Sequence, residues 1–232
     1  MTCAFILLAG SSQRFGGNTP KQFIIIKNKY LFEFCLDTFD SLKEIEKIFL
    51  VCDKTHLVFL NNFIKTSKYN HEIGIILGGQ TRQESVYNSL KALQNSHIFC
   101  DYVLFHDACR PLVRRHEILN LLNELKTNDG ASLAVPLYDS LCKEENKIIA
   151  SSLDRKNLVK LQTPQGFKFD IIYSAHERAL KNGELNFTDD TSLLTKLGSK
   201  VKLVEGSAFN FKITASEDLL LFKKIVEGFN FD

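Results

Sequence analysis

The sequence predicts an α/β protein in which a mostly parallel sheet carries helices on both faces, giving three layers. Short apolar runs alternate with stretches of helical periodicity along most of the chain. Such alternation indicates βαβ units. The chain has 232 residues, of which 44% are hydrophobic and 24% charged. This size and composition suit one globular domain over residues 1–232.

Each predicted element follows from a local pattern. Short apolar runs predict strands, namely Cys3–Leu8, Ile48–Cys52, Ile73–Leu77, Tyr102–His106, Ser132–Pro136 and Lys200–Val204. Apolar residues at helical spacing, such as Val86, Leu90 and Leu93, predict helices, namely Leu31–Leu42, Arg82–Gln94, Arg114–Lys126, Lys168–Lys181, Asp189–Leu197 and Glu217–Val226. The alternation breaks at residues 137–163, where two β-like runs flank a polar turn. We expect a β-arm there that is too small for its own core, so that a second chain is its natural partner surface.

Composition excludes several classes of function. The net charge is +2, so nothing demands a nucleic acid or an anionic membrane as partner. No signal-peptide pattern and no stretch long enough to span a bilayer is present. The six cysteines are scattered without a C-x-x-C pair. We therefore expect no disulfide framework, no cysteine metal site and a cytoplasmic location.

A glycine-rich loop at residues 8–23 follows the first predicted strand. Glycines let main-chain N–H groups approach a ligand closely, and successive N–H groups form a concavity that binds anions. Arg14 and Lys21 add two cations. The loop therefore predicts a phosphate site at the carboxyl end of the strand, where open α/β sheets bind ligands. A solvated glycine turn is the alternative. The dinucleotide and Walker patterns are both excluded, because Ser12 and Gly17 stand where those patterns need Gly and Lys.

Two further sequence stretches, residues 78–86 and 106–111, lie at the ends of predicted strands. Residues 78–86, GGQTRQESV, open a helix whose N-terminus favours an anion or a polar ligand edge, although an ordinary strand–helix turn explains them equally well. In residues 106–111, HDACRP, the carboxylate of Asp107 is costly to bury unless it is paired or binds a cation. Its partner could be Arg110 or Mg²⁺, which uses one or two carboxylates together with substrate phosphates. His106 is expected to be a hydrogen-bonded packing residue.

Three other segments carry polar residues in suggestive places. Ser140 and Arg155 lie on the predicted arm. Thr188 and Asp189 precede a predicted helix, where a capping role is the default. Lys212 stands in an apolar run, so its side chain either faces solvent or meets an anion.

Taken together, these motifs resemble the 2-C-methyl-D-erythritol 4-phosphate cytidylyltransferase family. In this sequence the pattern reads AG…R.G…PKQF, GG..R..SV, HDA.RP, QTPQ.F, TDD and N.KIT..EDL, in order from Ala4 to about Leu220. The resemblance implies a Rossmann-like, nucleotidyltransferase-type sheet with a protruding β-arm. It implies transfer of a cytidylyl group from CTP to the methylerythritol phosphate, with release of pyrophosphate, in non-mevalonate isoprenoid precursor synthesis. The chain departs from the family's usual residues at Ser12, Cys109 and Ser140.

The resemblance also implies roles for single residues. Nucleotide binding falls to Ala9, Gly10, Ser11, Ser12, Gly79, Arg82 and Ser85. Catalytic stabilisation of the phosphates falls to Arg14, Lys21 and Lys212. Binding of the acceptor falls to Asp107, Arg110, Ser140, Arg155 and Thr188, with Asp107 also near Mg²⁺. Ser140 and Arg155 would come from the arm of the partner subunit in a homodimer.

The implied chemistry agrees with the residue types. Phosphoryl transfers of this kind rest on positioning and charge stabilisation, and the motifs contain Arg, Lys and Asp but no nucleophilic triad. Two alternatives stay open. One is a cytidylyltransferase for ribitol 5-phosphate or another polyol phosphate, and the other is a non-catalytic nucleotide-binding regulator on the same fold.

Overall fold

Strands and helices alternate along the described part of the chain, which comprises residues 1–9 and 20–228 of this computed structural model. The strands are β1 (Thr2–Leu7), β2 (Ile25–Ile26), β3 (Lys29–Tyr30), β4 (Lys47–Cys52), β5 (Ile73–Leu77), β6 (Tyr102–Asp107), β7 (Gly130–Pro136), β8 (Leu141–Glu145), β9 (Ile148–Leu153), β10 (Val159–Lys168) and β11 (Val201–Glu205). The helices are α1 (Leu31–Asp40), α2 (Leu57–Thr66), α3 (Arg82–Asn95), α4 (Arg115–Leu125), α5 (Phe169–Lys181), α6 (Asp190–Lys196) and α7 (Ser216–Gly228). No helix within these ranges combines the length and the apolar character needed to cross a membrane.

Seven strands form the main sheet in the order β11-β7-β10-β6-β1-β4-β5. Neighbouring pairs are parallel except where β10 takes part, since β10 runs antiparallel to both β6 and β7. The predicted mostly parallel α/β sheet is therefore confirmed. The carboxyl ends of the six parallel strands meet at one edge of this sheet, which is where open α/β folds place their ligands.

Side-chain alternation along β1 explains the three layers. Ala4 and Ile6 join a core cluster with α1, α2 and α4, whereas Cys3, Phe5 and Leu7 join a second cluster with α3, α5 and α6. Every residue of β1 is thus buried, as expected for a central strand covered on both faces. A third cluster, which includes Ile213 and Phe222, packs α7 against Ile26 of β2 and Leu31 of α1.

The segment after β7 differs from the prediction in extent. A β-arm was expected over residues 137–163, but Val159 pairs with Pro136 of β7 and Leu161 with Ala134. Residues 159–161 thus pair with β7, and an irregularity between Leu161 and Gln165 leads into the pairing of β10 with β6, so residues 159–163 belong to the main sheet. The remaining excursion, residues 137–158, contains the antiparallel pair β8–β9, and nearly every residue of that pair is exposed.

Several elements of the fold are absent from the sequence prediction, namely α2, the short strands β2, β3 and β8, and the second half of β10, which runs on to Lys168. Helix α2 follows a 3-10 turn at Lys54–His56 that the Asp53 side chain caps through the main-chain N–H groups of Thr55 and His56. The remaining predicted helices and strands occur, with shifts of one or two residues at most of their ends.

Candidate active site

Strands β1, β4 and β5 bring two of the predicted nucleotide-binding segments together. The main-chain N–H groups of Leu8 and Ala9 both donate to the carbonyl oxygen of Val51, at 2.8 and 3.0 Å. A Cβ atom on Gly78 would lie 2.9 Å from the Cβ of Ala9 and 2.8 Å from the Ser85 Oγ. Only glycine therefore allows the end of β1 to approach the start of α3 this closely.

The Ser85 hydroxyl shapes the turn that opens α3. It accepts a hydrogen bond from the Gly79 main-chain N–H at 3.0 Å and donates to the Thr81 carbonyl oxygen at 2.9 Å. The side chain is buried. Within the protein, Ser85 thus fixes the backbone around Gly79, and its predicted contact with the base stays a prediction.

Asp107, at the end of β6, lies among three cationic side chains. Its Oδ2 is 2.7 Å from Lys212 Nζ and 3.9 Å from Arg110 Nε, and its Oδ1 is 3.6 Å from Arg82 Nε. Burial alone would raise the pKa of this carboxyl, but Lys212 and Arg82 outweigh burial and hold the pKa well below its usual range. Asp107 is therefore ionised, and of the two possibilities left open for Lys212, solvent or an anion, the structure shows an anionic partner.

Arg82 connects this cluster to a buried carboxylate that the sequence did not single out. Arg82 Nη1 donates to Asp190 Oδ2 at 2.6 Å, and His176 Nε2 donates to Asp190 Oδ1 at 3.0 Å. Asp190 is 2% exposed. Its burial favours the neutral form, but Arg82 and His176 lower its pKa below the ordinary value. Asp190 thereby holds the guanidinium between two carboxylates.

His106 and Thr163 fix the backbone on which Asp107 stands. The Arg110 carbonyl oxygen can only accept, so His106 Nε2 carries the proton and donates at 2.9 Å. The Thr163 hydroxyl donates to His106 Nδ1 at 3.2 Å and accepts from the Asp107 main-chain N–H at 3.0 Å. Burial lowers the pKa of His106 to about 4. The expectation that His106 is a hydrogen-bonded packing residue is confirmed.

Arg110 is held mainly by carbonyl groups. Its Nη1 donates to the Asn210 carbonyl oxygen at 2.8 Å and its Nη2 to that of Leu161 at 3.4 Å. The Asn210 side chain in turn donates to the Thr163 carbonyl oxygen at 2.8 Å. Arg110 therefore links the loop after β6 to β10 and to the segment that carries Lys212, and its contact with Asp107 is the longest in the cluster.

Lys21 begins a single 3-10 turn, Lys21–Phe23, directly after Pro20. Its side chain lies near the Cys109 thiol, whose pKa burial raises to about 11 even though the Lys21 ammonium acts to lower it. The Cys109 carbonyl oxygen accepts from the Ile213 main-chain N–H at 2.8 Å. Lys21 and Lys212 are thus brought to the same loop after β6.

The other predicted site residues are placed differently. Ser140 and Arg155 are exposed on the excursion, where Arg155 Nη1 donates to the Tyr138 carbonyl oxygen. In residues 1–9 and 20–228, neither forms a hydrogen bond or ion pair with the Asp107 cluster. Thr188 is exposed, and the neighbouring Asp189 caps α6 by accepting from the Ser192 main-chain N–H at 2.8 Å. Gly10, Ser11, Ser12 and Arg14 lie outside the described residues.

The residues that support the Asp107 cluster were not singled out from the sequence. Asp190 is the second Asp of the TDD motif, and Thr163 and Asn210 belong to QTPQ.F and N.KIT. The presence of these residues in the motifs indicated that they matter. Their hydrogen-bond partners, however, are distant in sequence and could not be predicted from it. Together the cations at this edge outnumber the carboxylates, so the site attracts an anionic ligand. A doubly wound sheet with such a carboxyl edge is typical of enzymes that handle nucleotides.

Comparison with known proteins identifies one family within this class of nucleotide-handling enzymes. A family model described as 2-C-methyl-D-erythritol 4-phosphate cytidylyltransferase matches residues 2–228. A protein of that name from Dictyoglomus thermophilum is 39% identical over 224 residues, covering 95% of this chain and 94% of its own length. One from Caldicellulosiruptor bescii is 37% identical over 226 residues, covering 97% of both chains. The chain therefore belongs to the 2-C-methyl-D-erythritol 4-phosphate cytidylyltransferase family.

Solved structures agree with this assignment. The crystal structure of 4-diphosphocytidyl-2C-methyl-D-erythritol synthase from Anaerococcus prevotii has a TM-score of 0.83 and 29% identity, covering 97% of this chain and 98% of its own. The enzyme from Thermus thermophilus has a TM-score of 0.76 and 28% identity, covering 98% and 100%. The resemblance inferred from the sequence and the predicted enzyme class are both confirmed.

Proposed function

We propose that this protein transfers the cytidylyl group of CTP to 2-C-methyl-D-erythritol 4-phosphate and releases pyrophosphate, in non-mevalonate isoprenoid precursor synthesis. The observation that carries this proposal is the family match over residues 2–228. The Asp107 cluster supports it, because a cationic edge around one carboxylate suits a reaction between two polyanions.

The reaction needs positioning and charge stabilisation rather than a protein nucleophile. An oxygen of the acceptor phosphate forms a bond to the α-phosphorus of CTP. The bond from that phosphorus to the bridging oxygen breaks, and its electron pair leaves with pyrophosphate. The acceptor phosphate is already ionised, so no general base is required. In this proposal Arg14, Lys21 and Lys212 stabilise the negative charge that shifts between the attacking and leaving oxygens.

Lys212 is held in place before any substrate binds. Its ammonium is 2.7 Å from Asp107 Oδ2, and its side chain is 40% exposed while that of Asp107 is 13% exposed. The lysine can therefore reach incoming phosphates without first being ordered, which makes charge stabilisation more effective. Asp107 serves as the anchor, and we assign it a contact with the acceptor hydroxyls as well.

The nucleotide lies, in this proposal, along the ends of β1 and β5. Ala9, with Gly10, Ser11 and Ser12, binds the phosphates and ribose, and the turn around Gly79 and Ser85 recognises cytosine. Gly78 keeps these two segments in contact. Arg82 supports the turn, and its buried Nη2 has no hydrogen-bond acceptor among the described residues.

The acceptor phosphate is assigned to Thr188 and, from a partner subunit, to Ser140 and Arg155. This part of the proposal requires a homodimer. The excursion supports one, since Tyr138 is 79% exposed and Ile148 and Ile149 are each 70% exposed. Several large apolar side chains on one small hairpin are typical of a protein–protein contact.

In this proposal a magnesium ion arrives with the nucleotide, and Asp107 is the residue that would hold it. Mg²⁺ is commonly held by one or two carboxylates together with substrate phosphates, and Asp107 supplies one carboxylate. In residues 1–9 and 20–228, no group of three or more His, Cys, Asp or Glu side chains could hold a metal ion by itself. When bound, the ion would neutralise charge on the phosphate oxygens.

A cytoplasmic location completes the proposal. All six cysteines carry free thiols, and free thiols persist best in a reducing compartment. Fractionation of the source cells, followed by detection of the protein in the soluble cytosolic or the membrane and envelope fractions, tests this location.

One incubation tests the proposed activity. The protein, Mg²⁺ and CTP are combined separately with 2-C-methyl-D-erythritol 4-phosphate and with ribitol 5-phosphate, and pyrophosphate is measured. We expect rapid release only with the methylerythritol phosphate. Faster release with ribitol 5-phosphate would assign the alternative acceptor, and no release with either would contradict transferase activity. Omission of Mg²⁺ in a parallel sample tests the metal.

A further inference from the structure

We propose that Gln22 is a positioning residue for this transfer, because its side chain fixes Lys21 relative to the carboxyl end of β1. The inference deepens the proposed function and rests on it, since it assumes that Lys21 acts on the substrate phosphates. Gln22 belongs to the PKQF motif and directly follows Lys21 in the sequence.

The Gln22 side chain connects the two ends of the glycine-rich loop, residues 8–23. Its Nε2 donates to the Leu8 carbonyl oxygen at 2.6 Å, and the residue is 3% exposed. Leu8 follows β1 directly and is itself held by its N–H bond to Val51 in β4. Gln22 is therefore anchored to the sheet, and not to another loop.

The short 3-10 turn transmits this anchor to Lys21. The N–H of Phe23 donates to the Pro20 carbonyl oxygen at 3.0 Å, and the N–H of Ile24 donates to that of Lys21 at 3.1 Å. The Phe23 ring stacks on His56, with ring centroids 4.2 Å apart. The backbone of Lys21 thus belongs to a turn fixed by a buried amide on one residue and by an aromatic contact on the next.

The position of this 3-10 turn matters because the Lys21 side chain extends from it toward the loop after β6. Its side chain lies near the Cys109 thiol, and the Cys109 carbonyl oxygen accepts a hydrogen bond from the main-chain N–H of Ile213, next to Lys212. If the turn moved away from β1, Lys21 would separate from the loop that also positions Lys212. A displacement of about 1 Å in a charge-stabilising group can lower a rate by about 100-fold.

The substitution Gln22→Met removes the donor and nearly preserves the side-chain shape. We expect kcat to fall about 10- to 100-fold, with a smaller change in the KM for CTP. Asn128→Leu is the matched control, because Asn128 Nδ2 donates to the Glu124 carbonyl oxygen at 2.8 Å, just before β7 at the opposite edge of the sheet. We expect this control to lower the melting temperature comparably and to leave kcat unchanged.

A double-mutant cycle with Lys21→Ala separates positioning from general structural support. If Gln22 acts through Lys21, Gln22→Met lowers kcat less than about twofold when Lys21 is already alanine. An equal fold loss in both backgrounds would overturn this inference alone. Wild-type kcat in Lys21→Ala would overturn the proposed role of Lys21 and the inference with it. If Gln22→Met does not fold, Gln22→Asn, which keeps the amide but shortens its reach, takes its place in the cycle.

Discussion

The buried carboxylate of Asp190 provides a direct test of how the active site is supported. It accepts from Arg82 Nη1 at 2.6 Å and from His176 Nε2 at 3.0 Å, and it is 2% exposed. The substitution Asp190→Asn keeps the shape but removes the negative charge. Breaking a buried ion pair from one side costs about 3–5 kcal/mol, because the guanidinium remains buried without its nearest counter-ion.

The loss should be visible in both thermal and urea unfolding. For a chain of this size, about 3–5 kcal/mol corresponds to a melting temperature lower by about 10 °C. Asp189→Asn is the matched control, since it is the same chemical change one residue earlier. Asp189 caps α6 through the Ser192 N–H, and asparagine caps a helix about as well as aspartate, so this variant should differ little from the wild type.

The dependence of stability on pH provides a second check. The pKa of Asp190 is lower in the folded protein than in the unfolded chain. Its contribution to the free energy of unfolding is therefore complete above the unfolded pKa of about 3.9 and is lost as the pH falls through the folded pKa. The difference between wild type and Asp190→Asn should shrink below about pH 4. Equal destabilisation by Asp189→Asn and Asp190→Asn at pH 7 would refute the reasoning.

Three further predictions concern catalysis. Replacing Lys21 with alanine should lower kcat about 100-fold or more while leaving the melting temperature nearly unchanged, and a raised KM with normal kcat would instead assign Lys21 to substrate binding. Pyrophosphate release should be far faster with CTP than with ATP or GTP, because we assign the turn around Gly79 to recognition of a small pyrimidine edge, and equal rates would contradict this. Mixed dimers of Arg14→Ala and Arg155→Ala subunits should recover about a quarter of wild-type activity if each site takes these residues from different chains, whereas no recovery despite demonstrated subunit exchange would place both residues in one chain.

Most of the fold could be predicted because each central strand carries its own local signal. The run at β1 is apolar on both faces, and the periodicity of α3 marks its buried side, so local pattern and tertiary burial agree. Helix α2 was missed because Leu57 to Leu60 form one continuous apolar run, and periodicity cannot assign such a run. Its start is marked by the Asp53 cap, which precedes the helix by a separate 3-10 turn.

Strand β10 was misassigned because its polar residues are satisfied only by distant partners. Gln162 donates to the Ser207 carbonyl oxygen, and the Thr163 hydroxyl bonds to both His106 and Asp107. A local pattern containing these residues, with Pro164 and a glycine beside them, indicates a turn. The register with β6 and β7 nevertheless makes it an inner strand of the sheet.

The candidate site shows the same contrast. The sequence indicates which residues matter chemically, but it does not show which of them contact each other. The sequence motifs identified Asp107, Arg82 and Lys212 as chemically important. They could not show that Lys212 and Arg82 both face Asp107, since Lys212 is 105 positions away in sequence. Nor could they reveal that Asp190 is buried, because an Asp at the start of a helix ordinarily faces solvent.

The direction of β10 has a topological consequence for the excursion at residues 137–158. Strands β7 and β10 are antiparallel neighbours, and Pro136 pairs with Val159. The chain thus leaves and re-enters the sheet at adjacent points on the carboxyl edge, as in a hairpin whose loop has been enlarged. This insertion can lengthen, shorten or change sequence without rethreading the sheet, and it always emerges at the carboxyl edge, where we propose that the substrates bind. Replacing it with a two-residue turn would accordingly give a folded protein whose sheet order is unchanged, on which the contribution of the inserted hairpin to acceptor binding could be measured separately.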